Sequence, residues 1–249
     1  AQKGFGVSLS EVGFNELTEM EQRLSVYFAN VIGHCYANVI NGIEDAEVKN
    51  KMREEAYRHL EFAVKMSKRC GEIETYYRNY GCLIENTTGD IAGLEQAYEQ
   101  YKMGLKVNSK GKDTYYVLIS NLNKRIRGML GIEIRVPEKD RQIPLWQMQF
   151  GKIKEKKKID NLIQEMKNYI EIAICLFPNE PRWYAFSVYR RIYKMCLQNE
   201  FELNVVRKYL YNMRQDVMKV DMLEGKQPLC VVVRKEVADL NEYVKRIRC

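Results

Sequence analysis

The sequence has 249 residues, of which 46% are hydrophobic, and this is enough apolar material for a continuous core. Proline is scarce at five residues, and Met, Glu, Lys and Leu are plentiful, so the composition favours helices over a strand-rich sandwich. No apolar run reaches the roughly 20 residues that cross a bilayer, so we expect no contact with a membrane.

The first residues, AQKGFGVSLS, have neither an initiator Met nor the pattern of a signal peptide. We interpret residues 1–16 as a linker or lead-in and expect the chain to be part of a larger intracellular protein. The seven cysteines contain no CxxC pair. They favour a reducing, cytoplasmic location in which most of them act as small buried hydrophobic residues.

The first hairpin is predicted from a capping box and a glycine break. Thr18 and Glu21 can satisfy each other's unpaired backbone N–H groups, so a helix begins here and continues to about Ile40. The apolar stripe of this helix is Leu24, Tyr27, Phe28, Val31, Ile32 and Cys35. A second helix is predicted over Ala46–Cys70, with Gly71 ending it in the left-handed conformation.

The second hairpin begins near Glu74, turns at Thr88-Gly89-Asp90 and returns through IAGLEQAYEQYKMGLKV. Its returning helix repeats a pattern found 41 residues earlier: Ala56-x3-Leu60-x2-Ala63 is echoed by Ala97-x3-Tyr101-x2-Gly104. Small residues on either side of a large one let a helix lie close to its neighbours. The repetition predicts a stack of helical hairpins.

The pattern continues less regularly beyond this point. A helix is predicted over residues 114–127, and residues 131–151 form an irregular insertion with two prolines, part of which packs through Ile143, Leu145 and Trp146. Helical periodicity resumes at Lys156 and ends before Pro178. Two more helices follow, the first over residues 183–198, and residues 230–248 place Val233, Val237, Leu240, Val244 and Ile247 on one face.

The second hairpin resembles the tetratricopeptide repeat. Tyr77-x2-Tyr80-Gly81-x2-Ile84, the Gly89-Asp90 turn and the residues Ala97, Tyr101 and Gly104 carry this resemblance. It implies an all-α, right-handed superhelical stack of antiparallel helix hairpins, a tetratricopeptide-like α-solenoid with a C-terminal capping helix. Residues 17–130 and 152–249 would then form one continuous solenoid around the insertion at 131–151.

The resemblance also implies a concave groove that binds a protein or peptide. By position in the repeat, the residues that would line this groove are Arg78, Cys82, Glu85, Asn86, Tyr116, Ser120, Asn123, Lys124, Tyr184 and Arg191. We therefore expect a protein-binding scaffold or sensor. A small-ligand or signalling-peptide sensor with a deep central pocket is an alternative on the same fold.

Charge supports a further alternative, a nucleic-acid-binding helical protein. Residues 1–124 carry a net charge of −2 and residues 125–249 a net charge of +9. The strongest basic run consists of Lys152, Lys154, Lys156, Lys157 and Lys158, which could contact phosphates.

The sequence offers no pattern that supports catalysis. The two histidines, His34 and His59, lie in no metal-binding motif, and the chain contains neither GxxxxGK[ST] nor GxGxxG. We expect no enzyme activity, metal or cofactor.

Overall fold

The computed structural model describes residues 11–132, 144–147, 155–198 and 202–246. Every regular element in these ranges is helical. The α-helices are α1 (Glu11–Asn15), α2 (Glu19–Val39), α3 (Ala46–Cys70), α4 (Glu74–Thr88), α5 (Ile91–Val107), α6 (Lys112–Met129), α7 (Lys156–Leu176), α8 (Pro181–Gln198), α9 (Leu203–Met222) and α10 (Pro228–Arg246). Short 3-10 turns occur at Ile40–Gly42 and Leu145–Gln147.

The all-α prediction is confirmed, because helices that follow one another along the chain pack as neighbours within each of two compact units. The first unit is residues 1–118 and the second is residues 119–249. Their boundary falls within α6. The division of the solenoid at residues 130 and 152 stays a prediction, and the short helix α1 lies in the segment interpreted as a lead-in.

Side-chain caps fix the ends of the first helices where the sequence predicted them. Thr18 and Glu21 form the capping box of α2, with Thr18 N donating to Glu21 Oε2 at 2.8 Å. Asp90 caps α5 by accepting a hydrogen bond from Gly93 N at 2.7 Å, and Gly89 ends α4 in the left-handed conformation. The turn at 88–90 is therefore confirmed.

Gly71 corrects one detail of this prediction. It follows α3 as expected, but its φ of 117° and ψ of 115° lie outside the left-handed helical region. A side chain rarely adopts a φ of this kind, so glycine is still required. The extended ψ takes the chain straight from α3 to α4, with only residues 71–73 between them.

The repeated motif forms the core of both hairpins in the first unit. Its small and large residues are all buried: Ala56, Leu60, Ala63, Ala97, Tyr101 and Gly104. Each large residue packs against a glycine of the preceding helix. A methyl group on Gly33 of α2 would lie 2.7 Å from Leu60 Cγ, and one on Gly81 of α4 would lie 2.5 Å from Tyr101 Cε1. The missing Cβ atoms therefore allow the helices of each pair to approach closely.

The second unit contains the helices α7 to α10. α7 ends at Leu176, ahead of Pro178, and α8 is the most deeply buried helix, with Trp183, Tyr189 and Tyr193 fully enclosed. α10 packs on both α8 and α9. Its predicted apolar face is confirmed for the four described members, Val233, Val237, Leu240 and Val244, all of which are buried. Ile247 lies outside the described residues.

The short segment 144–147 is fixed to α10 by a buried carboxylate. Leu145 N donates to both carboxylate oxygens of Glu236 at 3.0 Å, and the Trp146 ring lies 4.9 Å from the Tyr243 ring. Leu145 and Trp146 are buried, as the sequence predicted, whereas Ile143 lies outside the described residues.

Burial divides the described cysteines into two chemical groups. Cys70, Cys196 and Cys230 are buried, as expected of small hydrophobic residues, whereas Cys35 and Cys175 are exposed; Cys82 is half-buried and belongs to neither group. Burial, with a smaller contribution from Glu236, raises the pKa of the Cys196 thiol to about 12. Because the thiolate is the reactive form, Cys196 is inert at neutral pH.

We therefore expect iodoacetamide at neutral pH to alkylate Cys35 and Cys175 of the folded protein well before the three buried cysteines. Mass spectrometry of protein quenched at successive times measures this order. Denaturation by urea should remove the difference. Labelling of Cys196 in the folded protein as fast as that of Cys175 would contradict the buried environment described here.

Candidate functional site

The helix α2 has two apolar faces, and only one of them is covered. Val26, Ala29 and Gly33 face α3 and are buried. The opposite face carries large apolar side chains that are 36% to 73% exposed, and we call them the α2 stripe: Met20, Leu24, Tyr27, Phe28 and Val31. Helices that are apolar all round normally lie inside a protein, so the stripe is a surface that a further element can cover.

The beginning of the α2 stripe opens into a groove with a volume of about 470 Å³. Met20, Leu24 and Tyr27 form one wall, and Ile73, at the start of α4, stands half exposed on the other. A cavity of this size holds several side chains or a small ligand. The groove follows from Gly71, because the short connection after it sets the start of α4 beside α2.

The floor of the groove is electrically neutral. It is formed by Cys70 and Tyr76, which are buried. Burial raises the pKa of both groups above their ordinary values, and the raised values keep the thiol and the phenol protonated at neutral pH. The floor therefore favours an apolar side chain and supplies no nucleophile.

Charged groups stand at the rim of the groove. Arg23 Nη2 contacts Glu19 Oε1 at 2.6 Å, and Glu72 accepts a hydrogen bond from the Tyr77 hydroxyl at 2.7 Å. From the start of α1 to the cap of α3, residues 11–45 contain six acidic residues and one arginine. α3 places Lys68 and Arg69 beyond this segment, and Arg69 donates to Asn15 of α1. The segment that contains α2 therefore carries a net negative charge.

The structure shows why the sequence did not identify this site. Leu24, Tyr27, Phe28 and Val31 were predicted to form the apolar stripe of a helix that packs in a hairpin, but these residues face solvent. Smaller residues make the contact with α3 instead. The informative signal was the pair of small residues Ala29 and Gly33, which are four positions apart and therefore lie on one face of α2.

Four predicted groove residues lie along α4 in the first unit, and three of them contact other residues of that unit. Arg78 contacts Asp113 at 3.3 Å and Glu74 at 3.6 Å. The Tyr101 hydroxyl is 3.6 Å from Cys82 Sγ and 3.3 Å from Glu85 Oε2, and burial is the main cause that raises the pKa of Tyr101. The fourth residue, Asn86, is exposed.

The remaining predicted groove residues lie on α6 and α8. Tyr116, in the first unit, and Ser120 and Lys124, in the second, are half-buried, whereas Asn123 is buried and accepts a hydrogen bond from the Tyr193 hydroxyl at 2.6 Å. Asn123 therefore stabilises the core of the second unit. On α8, the Tyr184 hydroxyl donates to Pro178 O, and Arg191 Nε contacts Asp216 at 3.0 Å. A groove common to all these residues stays a prediction.

The basic run is described only in part. Lys156, Lys157 and Lys158 are exposed in the first turn of α7, and Lys158 Nζ lies 3.9 Å from Glu155. Lys152 and Lys154 lie outside the described residues. Three adjacent exposed lysines are compatible with phosphate contacts, and the nucleic-acid alternative stays a prediction.

The two histidines lie in different environments on neighbouring helices. His34 is exposed and 3.1 Å from Asn38 Nδ2, whereas His59 is buried beside Tyr36. Burial lowers the pKa of His59, so its ring is neutral at pH 7. The residues that the structure describes contain no cluster of histidine, cysteine or acidic side chains that could hold a metal ion.

The sequence matches no protein-family model and no curated protein. None of the helices within the described ranges is both long and apolar enough to span a membrane.

Proposed function

We propose that this chain is a protein-binding helical-repeat module of the tetratricopeptide-like kind, and that its α2 stripe binds an amphipathic helix of a partner. The α2 stripe carries the proposal: five large apolar side chains lie exposed on one face of a helix whose other face is already packed. Covering such side chains stabilises a complex by about 25 cal/mol per Å² of apolar surface removed from water. The proposed function is binding and not catalysis.

The form of the α2 stripe favours a helical partner. Met20, Leu24, Tyr27 and Val31 are spaced by four, three and four residues, which is the spacing of the seam between two helices. The groove beside Met20, Leu24 and Tyr27 can accept the large side chains of such a helix. The acidic residues around α2 favour positive charge on the partner, since complementary charge speeds association and excludes acidic competitors.

The test uses a synthetic amphipathic peptide about three heptads long, with leucine on one face and lysine on the other. We expect this peptide to bind the intact chain and to bind the double variant Leu24→Glu, Tyr27→Glu at least about tenfold more weakly, because each carboxylate would be buried without a partner. Fluorescence anisotropy of the labelled peptide measures both affinities.

Two controls test whether the peptide binds at the α2 stripe and whether its positive charge contributes to the affinity. Val48→Glu makes the same change at an exposed apolar side chain near the start of α3, outside the groove, and should leave the affinity unchanged. A peptide with glutamate in place of lysine should bind more weakly than the basic one. Equal binding by the intact chain and by the Leu24→Glu, Tyr27→Glu variant would contradict the proposed site.

A further inference from the structure

The helix α9 in the second unit also carries exposed apolar side chains. Tyr211, Met218 and Met222 are 54% to 70% exposed, and Gln215 is exposed between them. These four residues, which we call the α9 stripe, lie on one face of α9, because their spacings of four, three and four residues follow the helical turn. The opposite face of the helix is buried through Val206, Leu210, Met213 and Val220.

The residues around the α9 stripe are mainly basic, and this charge is complementary to the acidic segment that contains the α2 stripe. Lys208, Arg214 and Lys219 are exposed on either side of it. Asp221 is exposed as well, and its Oδ1 lies 2.6 Å from Arg234 Nε. The α9 stripe is therefore an apolar surface with a mainly basic border, and the α2 stripe is an apolar surface in an acidic segment.

From these features we propose that the partner helix of α2 is α9 of a second copy of this chain, packed antiparallel to it. This inference rests on the proposed function and names the partner. The two stripes have the same spacing, so their side chains meet in register over three turns. The antiparallel alignment forms four facing pairs: Met20 with Met222, Leu24 with Met218, Tyr27 with Gln215, and Val31 with Tyr211.

Flanking charges select the antiparallel direction. In that alignment Glu21 lies beside Lys219, and Arg23 lies beside Asp221, so both flanking pairs have opposite charges. In the parallel alignment Arg23 would lie beside Lys219. Glu19, Arg23 and Asp221 are exposed, Arg234 is half-buried, and Glu21 accepts from Thr18 through Oε2, so the existing contacts do not prevent these groups from meeting a new neighbour.

Such a contact joins two different surfaces, so it is heterologous. One copy would offer its α2 stripe and the next its α9 stripe, and each copy would keep one surface open for a further copy. Association of this kind produces a ring or an open chain of copies and requires no symmetric dimer contact.

Two variants and their mixture test this arrangement. We expect light scattering after size exclusion to show the intact chain above the monomer mass at high concentration. The Leu24→Glu, Tyr27→Glu variant and a Met218→Glu, Met222→Glu variant should each be monomeric. Their equimolar mixture should form a complex of twice the monomer mass, because each variant retains the surface that the other lacks.

A charge exchange tests the direction of packing. Arg23→Glu places like charges beside Asp221, and Asp221→Arg places like charges beside Arg23, so each change alone should weaken association by about tenfold. Both changes in one chain should restore it. Circular dichroism confirms that every variant folds, and Tyr211→Glu replaces the methionine changes if those reduce helicity.

The outcomes separate this inference from the proposed function. An intact chain that stays monomeric at about 0.5 mM but binds the basic peptide through α2 overturns the second copy as partner and leaves the helix-binding function standing. Continued association of either variant alone, or a mixture that stays monomeric, also overturns the inference. Failure of the basic peptide to bind would contradict the proposed function itself.

Discussion

Gly81→Val is expected to lower the free energy of unfolding by about 3 kcal/mol, at the upper end of what overpacking usually costs. Already the first carbon of a side chain at this position would lie 2.5 Å from Tyr101 Cε1 and 2.9 Å from Tyr101 Cδ1. Tyr101 is buried, and its rigid ring cannot move away without opening the contact between α4 and α5. Chemical denaturation followed by circular dichroism measures the change.

Gly42→Val is the matched control, because no atom outside the local backbone and the two neighbouring residues lies within 4 Å of a side-chain carbon at that position. It should change the free energy of unfolding by less than about 0.5 kcal/mol. Gly33→Ala should cost less than Gly81→Val, since the flexible Leu60 side chain that it meets can adjust. Equal stability of the Gly81→Val and Gly42→Val proteins would show that Tyr101 does not pack against α4 as described.

Glu236→Ala is expected to destabilise the second unit by about 2–3 kcal/mol and to release the segment 144–147 from α10. The change leaves the buried Leu145 N–H without its acceptor, and a buried unsatisfied donor costs about 1–3 kcal/mol. Because Trp146 is buried in the same segment, its fluorescence should move to longer wavelength. The second tryptophan, Trp183, is enclosed in α8 and should keep its emission.

Two further substitutions define the cause of this effect. Glu236→Gln retains an acceptor oxygen and should lose less stability than Glu236→Ala. Glu242→Ala removes an exposed glutamate of the same helix, where the carboxylate contacts only Lys245 among the partners described, and should be nearly neutral. An unchanged tryptophan spectrum in Glu236→Ala would indicate that the segment is held by other contacts.

Local signals made most of the helical structure predictable. Several helix ends are set by residues that act on the backbone only a few positions away, so the sequence alone predicts them. These residues are the pair Thr18 and Glu21, and also Gly89, Asp90 and Pro178. The motif residues in α3 and α5 were predictable for a related reason. Small residues at fixed helical spacing have one main use, which is close packing.

Long-range contacts were not predictable in this way. Glu236 and Leu145 are 91 positions apart, and no sequence pattern around either residue predicts their hydrogen bond. The sequence prediction missed the candidate site for a different reason. The helix α2 has apolar residues on both faces, and hydrophobic periodicity alone does not identify the face that packs. The prediction assigned the packed face to the large residues, whereas Ala29 and Gly33 lie on the face that contacts α3.

The acidic segment around α2 also determines which associations are discouraged. An exposed apolar helix in water would pair with its own copy unless something opposed it. Two copies paired through α2 would bring together two copies of a segment, residues 11–45, that has six acidic residues and one arginine. Self-pairing of α2 is therefore repelled at low ionic strength, and added salt weakens that protection. The same glutamates that would favour the proposed basic partner would therefore also oppose pairing of α2 with its own copy.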